Sequence, residues 1–97
     1  MTKCLVEMYG LSLKTTRLNQ IEIEIPNPAK LGDIIAALRV KLPALEGDVI
    51  LNGENRLTAY YTFNINGRFY SDESKLHDIF HFKDGQRIAL LPLAYGG

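Results

Sequence analysis

The residues of this sequence with the most definite chemistry are the last two, Gly96 and Gly97. Glycine has no side chain and few backbone restrictions, so such a tail can pass through a narrow channel into another protein's active site. A carboxylate is inert until it is activated, for example as an acyl-adenylate, and a bulky neighbour would obstruct attack on the carbonyl. The pair therefore indicates a group carrier whose reactive atom is the carboxyl carbon of Gly97. A frayed end or an expression scar is the alternative interpretation.

The segment before the tail favours the carrier. Arg87 is the last charged side chain of the sequence, and residues 88–97 contain none. The run from Ile88 to Leu93 is apolar and leads from a predicted strand directly into the tail. We therefore expect the tail to project from the edge of a sheet, which a frayed linker would not do.

Other residues that could do chemistry have simpler explanations. His77 and His81 are four residues apart, a spacing that would place two imidazoles on one face of a helix, but no third metal ligand accompanies them. Glu22 and Glu24 share one strand face, where exposed carboxylates usually serve solubility. Cys4 falls on the apolar phase of its strand, which predicts a buried, inert thiol. We therefore predict no metal site and no catalytic site of the domain's own.

Composition narrows the class of protein. The 97 residues carry 11 basic and 11 acidic side chains, so the net charge is zero and a nucleic-acid backbone is an unsuitable main partner. The length fits one small domain, and 46% hydrophobic residues is typical of a folded one. No apolar run approaches the roughly 18 residues of a membrane span. No secretory signal is visible and Cys4 is the single cysteine, so we expect a cytoplasmic protein without a membrane partner.

Alternating apolar residues predict the strands that carry these groups. The first strand has Cys4, Val6 and Met8 on its apolar phase, and the second, after a loop over residues 11–19, has Ile21, Ile23 and Ile25. Tyr61, Phe63 and Ile65 form a third, and Asn66-Gly67 predicts a two-residue hairpin into a fourth at residues 68–71. Asp84-Gly85 predicts a tight turn before a last strand over residues 88–91.

One helix follows the second strand. Its apolar stripe has helical spacing, and Pro43 stops it near Leu42: Leu31, Ile34, Ile35, Leu38, Leu42. Asn27 before Pro28 predicts the cap of its first turn. Residues 72–83 are compatible with a further short helical turn, and residues 45–58 show no readable pattern.

A single helix covers one face of a mixed sheet of four or five strands, which makes an α+β domain of two layers. This arrangement is the ubiquitin-like β-grasp, with the domain at residues 1–92 and a tail at 93–97. Side chains on the sheet face opposite the helix would then form an apolar docking patch for partner enzymes: Leu5, Phe69, Leu91, Leu93.

The sequence resembles the family of the molybdopterin-synthase small subunit and the thiamine sulfur carriers. The resemblance is carried by residues 83–97, by the helix start at residues 29–38 and by Ile65-Asn66-Gly67; residues 45–58 have no counterpart. Three positions depart from the family pattern: Lys30 replaces a threonine cap, Gln86 replaces an aspartate, and only one proline, Pro92, precedes the tail.

The resemblance implies a two-step cycle. An adenylyltransferase related to ubiquitin-activating enzymes would use ATP and Mg²⁺ to adenylate Gly97, and a sulfur donor would convert the adenylate to a thiocarboxylate. The sulfur would be delivered in the large subunit of molybdopterin synthase or an equivalent acceptor enzyme. The carrier itself would bind no cofactor, and Gly96, Pro92, Ala94 and Tyr95 would enter the partner with the tail.

Two alternatives stay open. The first is a ubiquitin-like modifier joined to lysines through Gly97, although the arginines that precede the glycines of ubiquitin are absent here. The second is a β-grasp interaction module whose tail has no function.

Overall fold

A computed structural model of the chain describes residues 1–10, 19–70 and 77–93. The expected loop over residues 11–18, part of the segment after the fourth strand (71–76), and the tail residues Ala94, Tyr95, Gly96 and Gly97 lie outside the described residues.

The described residues form a two-layer α+β fold. The strands are β1 (Thr2–Met8), β2 (Gln20–Ile25), β3 (Tyr61–Ile65), β4 (Arg68–Tyr70) and β5 (Gln86–Pro92), and helix α1 spans Leu31–Lys41. The five strands make one sheet in the order β2-β1-β5-β3-β4, with β1 and β5 parallel and the other pairs antiparallel. The predicted β-grasp, with a mixed sheet and one helix on one face, is confirmed.

The core lies between α1 and one face of the sheet. The apolar phase of β1 is buried as predicted, and so are Ile23 and Ile25 of β2. Four side chains of α1 pack against them, each at most 2% exposed: Leu31, Ile34, Ile35, Leu38. Full burial of a side chain of this size is worth about 1.5–3 kcal/mol, so this layer supplies most of the stability.

The helix begins later than the sequence predicts. Asn27 does not cap it: the Asn27 side-chain amide donates to the carbonyl of Phe82, and Ala29 exchanges backbone hydrogen bonds with Phe80. These contacts tie residues 27–29 to residues 80–82 in place of a helical turn, and Lys30 is the N-cap. Its backbone N–H donates to Asp33 Oδ2 at 2.8 Å, which gives the helix start an acidic partner that a lysine side chain cannot supply.

The predicted hairpin between β3 and β4 is confirmed. Asn66 and Gly67 have φ angles of 53° and 85°, the pair of positive values that a type I′ turn requires. Residues 77–83 contain no helix, so the described part of the predicted helical turn is wrong. Its backbone is engaged instead by pairing of Phe80 with Ala29.

Residues 45–58 fold onto the end of α1. Leu45, Val49 and Ile50 are fully buried. Arg39 of α1 holds the following loop: its guanidinium contacts the Glu46 carboxylate at 2.9 Å, and it also donates to the Asn55 side chain and to the carbonyls of Leu51 and Glu54. The segment without a readable pattern is therefore an ordered part of the core.

Candidate functional site

Strand β5 positions the tail. It is the third of the five strands in the sheet, paired with β1 on one side and β3 on the other. Ile88 and Leu90 are fully buried beneath α1, whereas Ala89 and Leu91 lie on the opposite, outer face, as the alternation predicts. The chain therefore reaches its tail from the central strand of the sheet, which is paired on both sides.

Hydrogen bonding continues to the last residue described. Pro92 lies opposite Tyr61, and the N–H of Leu93 donates to the carbonyl of Tyr60 at 2.9 Å. Leu93, the first residue of the predicted tail, is thus tied to the start of β3, while its side chain is 44% exposed.

An apolar cluster surrounds this point. Phe69, Pro92 and Leu93 line one cleft on the outer face, with Thr62 at its base, and Leu91 is the register partner of Thr62. Phe69 is 46% exposed while its neighbour Tyr70 is buried, as predicted. We call Phe69, Leu91, Pro92 and Leu93 the exit cluster, because the chain leaves the sheet among them.

Leu5 does not join the exit cluster. It lies on the outer face as predicted, but its register partner on β5 is Arg87, four residues before Leu91. Four residues of strand correspond to about 13 Å. Its neighbour across β2 is Glu22, so Leu5 has charged side chains around it.

The sequence reasoning missed two tyrosines near the exit cluster. Tyr9 is exposed, and its N–H donates to the carbonyl of Leu90 at 2.9 Å, which extends the β1–β5 pairing towards the tail. Its hydroxyl donates to Glu7 Oε2 at 2.9 Å; this hydrogen bond and then the negative charge of Glu7 raise the pKa of Tyr9. The alternation of Leu5, Glu7 and Tyr9 placed it on the outer face and could have revealed it. Tyr60 is exposed as well.

The segment over residues 45–58 also reaches the exit. A second cleft has Leu93 on one wall and Leu51, Arg56 and Leu57 on another, with Tyr61 between them. Burial, and secondarily the charge of Asp48, raises the pKa of Tyr61. The base of the tail therefore lies between two clefts of different character, one apolar and one with an arginine.

Among the described residues, His77, His81 and Cys4 do not belong to a cluster of metal ligands. His77 and His81 are exposed on a stretch that is not helical. Among the described residues, no three His, Cys, Asp or Glu side chains lie together as metal ligands would. Cys4 is 1% exposed, and burial, reinforced by the charge of Asp84, raises the pKa of its thiol. Within the same residues, none of the helical structure is both long and apolar enough to cross a membrane.

Comparison with protein-family models gives no match, and neither does comparison with curated proteins. Solved structures do match. Small archaeal modifier protein 1 (SAMP1) from Haloferax volcanii superposes with a TM-score of 0.72 at 21% identity, over 98% of this chain and 99% of that one. SAMP1 from Methanosarcina acetivorans superposes with a TM-score of 0.70 at 22% sequence identity, and the match covers 100% of this chain and 98% of that one. A Pyrococcus furiosus protein provisionally named molybdopterin converting factor subunit 1 superposes with a TM-score of 0.66 at 20% sequence identity, and the match covers 95% of this chain and 98% of that one.

These similarities extend over whole chains in both directions, so they include residues 45–58 as well as the helix and the hairpin. Identity near one fifth carries the fold and leaves the activity to be argued from the site. The chain therefore has the ubiquitin-like β-grasp fold that these solved structures share.

Proposed function

We propose that this protein is a sulfur carrier whose reactive group is the carboxylate of Gly97. The observation that carries the proposal is the path of β5, a central strand that ends in the exit cluster directly before a tail of sequence Ala94-Tyr95-Gly96-Gly97. A rigid strand with a short glycine-terminated tail can present a carboxylate to a partner at a fixed distance from a docking surface.

The cycle has two steps. The Gly97 carboxylate attacks the α-phosphorus of ATP in a partner adenylyltransferase, and pyrophosphate leaves. The terminal sulfur of a cysteine persulfide on a donor protein then displaces AMP and forms an acyl disulfide. A second thiol attacks the donor cysteine sulfur of this bond, which releases the thiocarboxylate and leaves a disulfide between the two thiols. The acceptor enzyme takes the sulfur in molybdopterin synthesis or a related pathway. The carrier supplies the carboxyl group and the recognition surface.

The exit cluster would dock the partners. Residues 88–97 carry no charged side chain, so burial of Phe69, Leu91 and Leu93 would supply the binding energy. Ala94 and Tyr95 would enter the channel of the partner enzyme with the tail. Leu5 is displaced from Leu91 by about 13 Å along the strand direction and lies one strand further across the sheet, so it would contribute only at the rim.

Adenylation can be tested by ATP–pyrophosphate exchange with the adenylyltransferase of the same organism. We expect exchange that depends on the full chain and is lost in a variant without Gly97. Because a single terminal glycine contributes little to stability, circular dichroism and the melting temperature of that variant should match the parent chain. Equal exchange by both proteins would contradict the proposal.

The docking surface can be tested with Phe69→Ser. Truncating an exposed aromatic anchor should weaken binding of the adenylyltransferase about tenfold or more, without loss of stability. Ile79→Ser is the matched control, since Ile79 is also exposed but lies outside the exit cluster. If the two variants bind alike, the exit cluster does not dock the enzyme.

A second candidate is a protein modifier. The observation that favours it is that three of the matching structures are named small archaeal modifier protein 1 or SAMP1. The same activated Gly97 would then be attacked by a lysine amine to form an isopeptide bond. Gly97-dependent isopeptide-linked adducts in cells would support this function, and both activities can coexist on one tail.

A further inference from the structure

Strand β2 forms one end of the sheet, far from the exit cluster. Among the described residues no strand pairs with its outer side. The N–H of Met8 donates to the carbonyl of Asn19 at 2.8 Å, and this fixes the hydrogen-bonding phase of the β1–β2 ladder. In an antiparallel ladder bonded and non-bonded pairs alternate, so Ile21 and Ile23 bond to β1. The backbone groups of Gln20, Glu22 and Glu24 therefore point away from the sheet.

A cleft runs beside this edge, between β2 and the last turn of α1. It is lined by Glu22, Ile23 and Glu24 of β2, by Ala37, Val40 and Lys41 of α1, and by Met1. Ala37, Val40 and Lys41 are spaced to lie on one face of the helix. Val40 is 79% exposed, an unusual position for a valine on a helix of a small domain. The edge thus combines unpaired backbone groups with a cleft of mixed polarity, in which Val40 and Ala37 supply the apolar surface on the helix side.

The other side of the same edge carries two carboxylates, with Lys3 of β1 as the register partner of Glu24. Glu22 and Glu24 are exposed on the outer face, two residues apart and so about 7 Å from each other. A strand added to β2 would place every second side chain on this outer face, opposite the two carboxylates. The side chain between them would fall opposite Ile23, above the cleft beside Val40.

We propose that the β2 edge binds an extended peptide segment in which basic and apolar residues alternate. The basic side chains pair with Glu22 and Glu24, and the apolar residue between them packs on Ile23 and Val40. A second copy of the chain is a poor occupant, because antiparallel pairing centred on Ile23 would set Glu22 against Glu24 of the copy, and like charges directly opposite are destabilising. This inference does not depend on the chemistry proposed for Gly97.

The test is a titration of the ¹⁵N-labelled protein with the acetylated, amidated pentapeptide Lys-Val-Lys-Val-Lys, followed by NMR. We expect saturable shifts confined to the amides of residues 20–24 and 37–41. The peptide Lys-Pro-Lys-Pro-Lys has the same charge but cannot form a ladder, and it should bind at least about tenfold more weakly.

Two variants define the site. The double change Glu22→Lys with Glu24→Lys should weaken binding about tenfold or more, because it turns two attractive cross-strand pairs into repulsive ones. Glu54→Lys is the control for charge alone, and Val40→Ser tests the apolar contact. Shifts centred on the exit cluster, equal binding of the proline peptide, unchanged binding by the double variant, or dimerisation through β2 would each overturn the proposal.

Discussion

Arg39 is the residue on which the order of the 51–56 loop depends most. One guanidinium contacts Glu46, Asn55 and two backbone carbonyls, and Glu46 also accepts a hydrogen bond from the N–H of Gly53. A lysine could not replace it, because an ammonium group lacks the planar set of donors that lets one guanidinium bind several acceptors. The loop lines the cleft beside Leu93, so Arg39 positions one wall of this cleft through the loop.

Arg39→Met should lower the free energy of unfolding by about 1–3 kcal/mol, because Glu46 and the carbonyls of Leu51 and Glu54 lose the charged donor that they share. Hydrogen exchange should accelerate at the amides of Leu51 and Glu54, which bond within the loop. Arg68→Met, at an exposed position of β4, is the control and should have little effect. Equal stability of the two variants would show that the loop does not need the arginine.

Cys4 makes stability depend on alkaline pH. Burial raises the pKa of its thiol in the folded chain, and the charge of Asp84 raises it further. In the unfolded chain the pKa of the thiol is about 8.5, so above that pH the unfolded state binds fewer protons than the folded state, and the free energy of unfolding falls as pH rises. The stability that the protonated thiol contributes is therefore full below about pH 8 and is lost as pH rises towards the raised pKa of the folded state.

Urea unfolding between about pH 7 and 9.5 checks this. The stability advantage of the parent chain over Cys4→Ala should be constant to about pH 8 and should shrink above it. A constant difference across the range would mean that the thiol ionises equally in both states.

At the scale of elements, two glycines should respond in opposite directions to the same substitution. Gly67 has a φ angle of 85° in the hairpin, where an alanine is strained, so Gly67→Ala should destabilise by about 1–3 kcal/mol. Gly32 lies within α1, and an added Cβ would meet the Asn55 Cβ at 3.6 Å, an ordinary contact. Gly32→Ala should therefore stabilise by about 0.5–1 kcal/mol. Denaturation curves with the same sign for both would contradict this description of the turn and the helix.

The sequence predicts those elements whose pattern is periodic. Alternation in β1 and β2, the apolar stripe of α1 and the Asn66-Gly67 turn depend on local rules, and each lies where those rules put it. The helix start and residues 45–58 depend on contacts between distant segments. Asn27 bonds to Phe82, and Arg39 bonds to a loop more than ten residues away. No spacing rule encodes such partners, so they could not be predicted.

The candidate site divides in the same way. Strand alternation predicted that Leu5, Phe69 and Leu91 lie on the sheet face opposite the helix. Which of them lie together depends on strand order and register, and the parallel pairing of β1 with β5 sets Leu5 opposite Arg87 rather than Leu91. The order of the strands in the sheet is a property of the whole chain, and the local pattern of each strand is compatible with several such orders.

At the scale of the whole molecule, the zero net charge conceals a separation. The acidic edge at β2 and the uncharged exit at β5 lie in different parts of the sheet. Binding of the adenylyltransferase at the exit cluster should therefore change little when salt is raised from about 0.05 to 0.5 M, whereas peptide binding at β2 should weaken severalfold. Calorimetric titrations at two salt concentrations check this, and equal salt dependence at both surfaces would contradict the assignment.

The central claim is that Gly97 carries sulfur, and the mass of the C-terminal peptide tests it most directly. The chain is incubated with ATP, Mg²⁺, its adenylyltransferase and a persulfide donor, and the peptide is then analysed by mass spectrometry. We expect replacement of one oxygen by sulfur at the Gly97 carboxylate. This mass change should not occur when ATP is omitted, nor in a variant extended by one serine beyond Gly97. An unchanged peptide mass, with an enzyme shown to activate another carrier from the same organism, would contradict it.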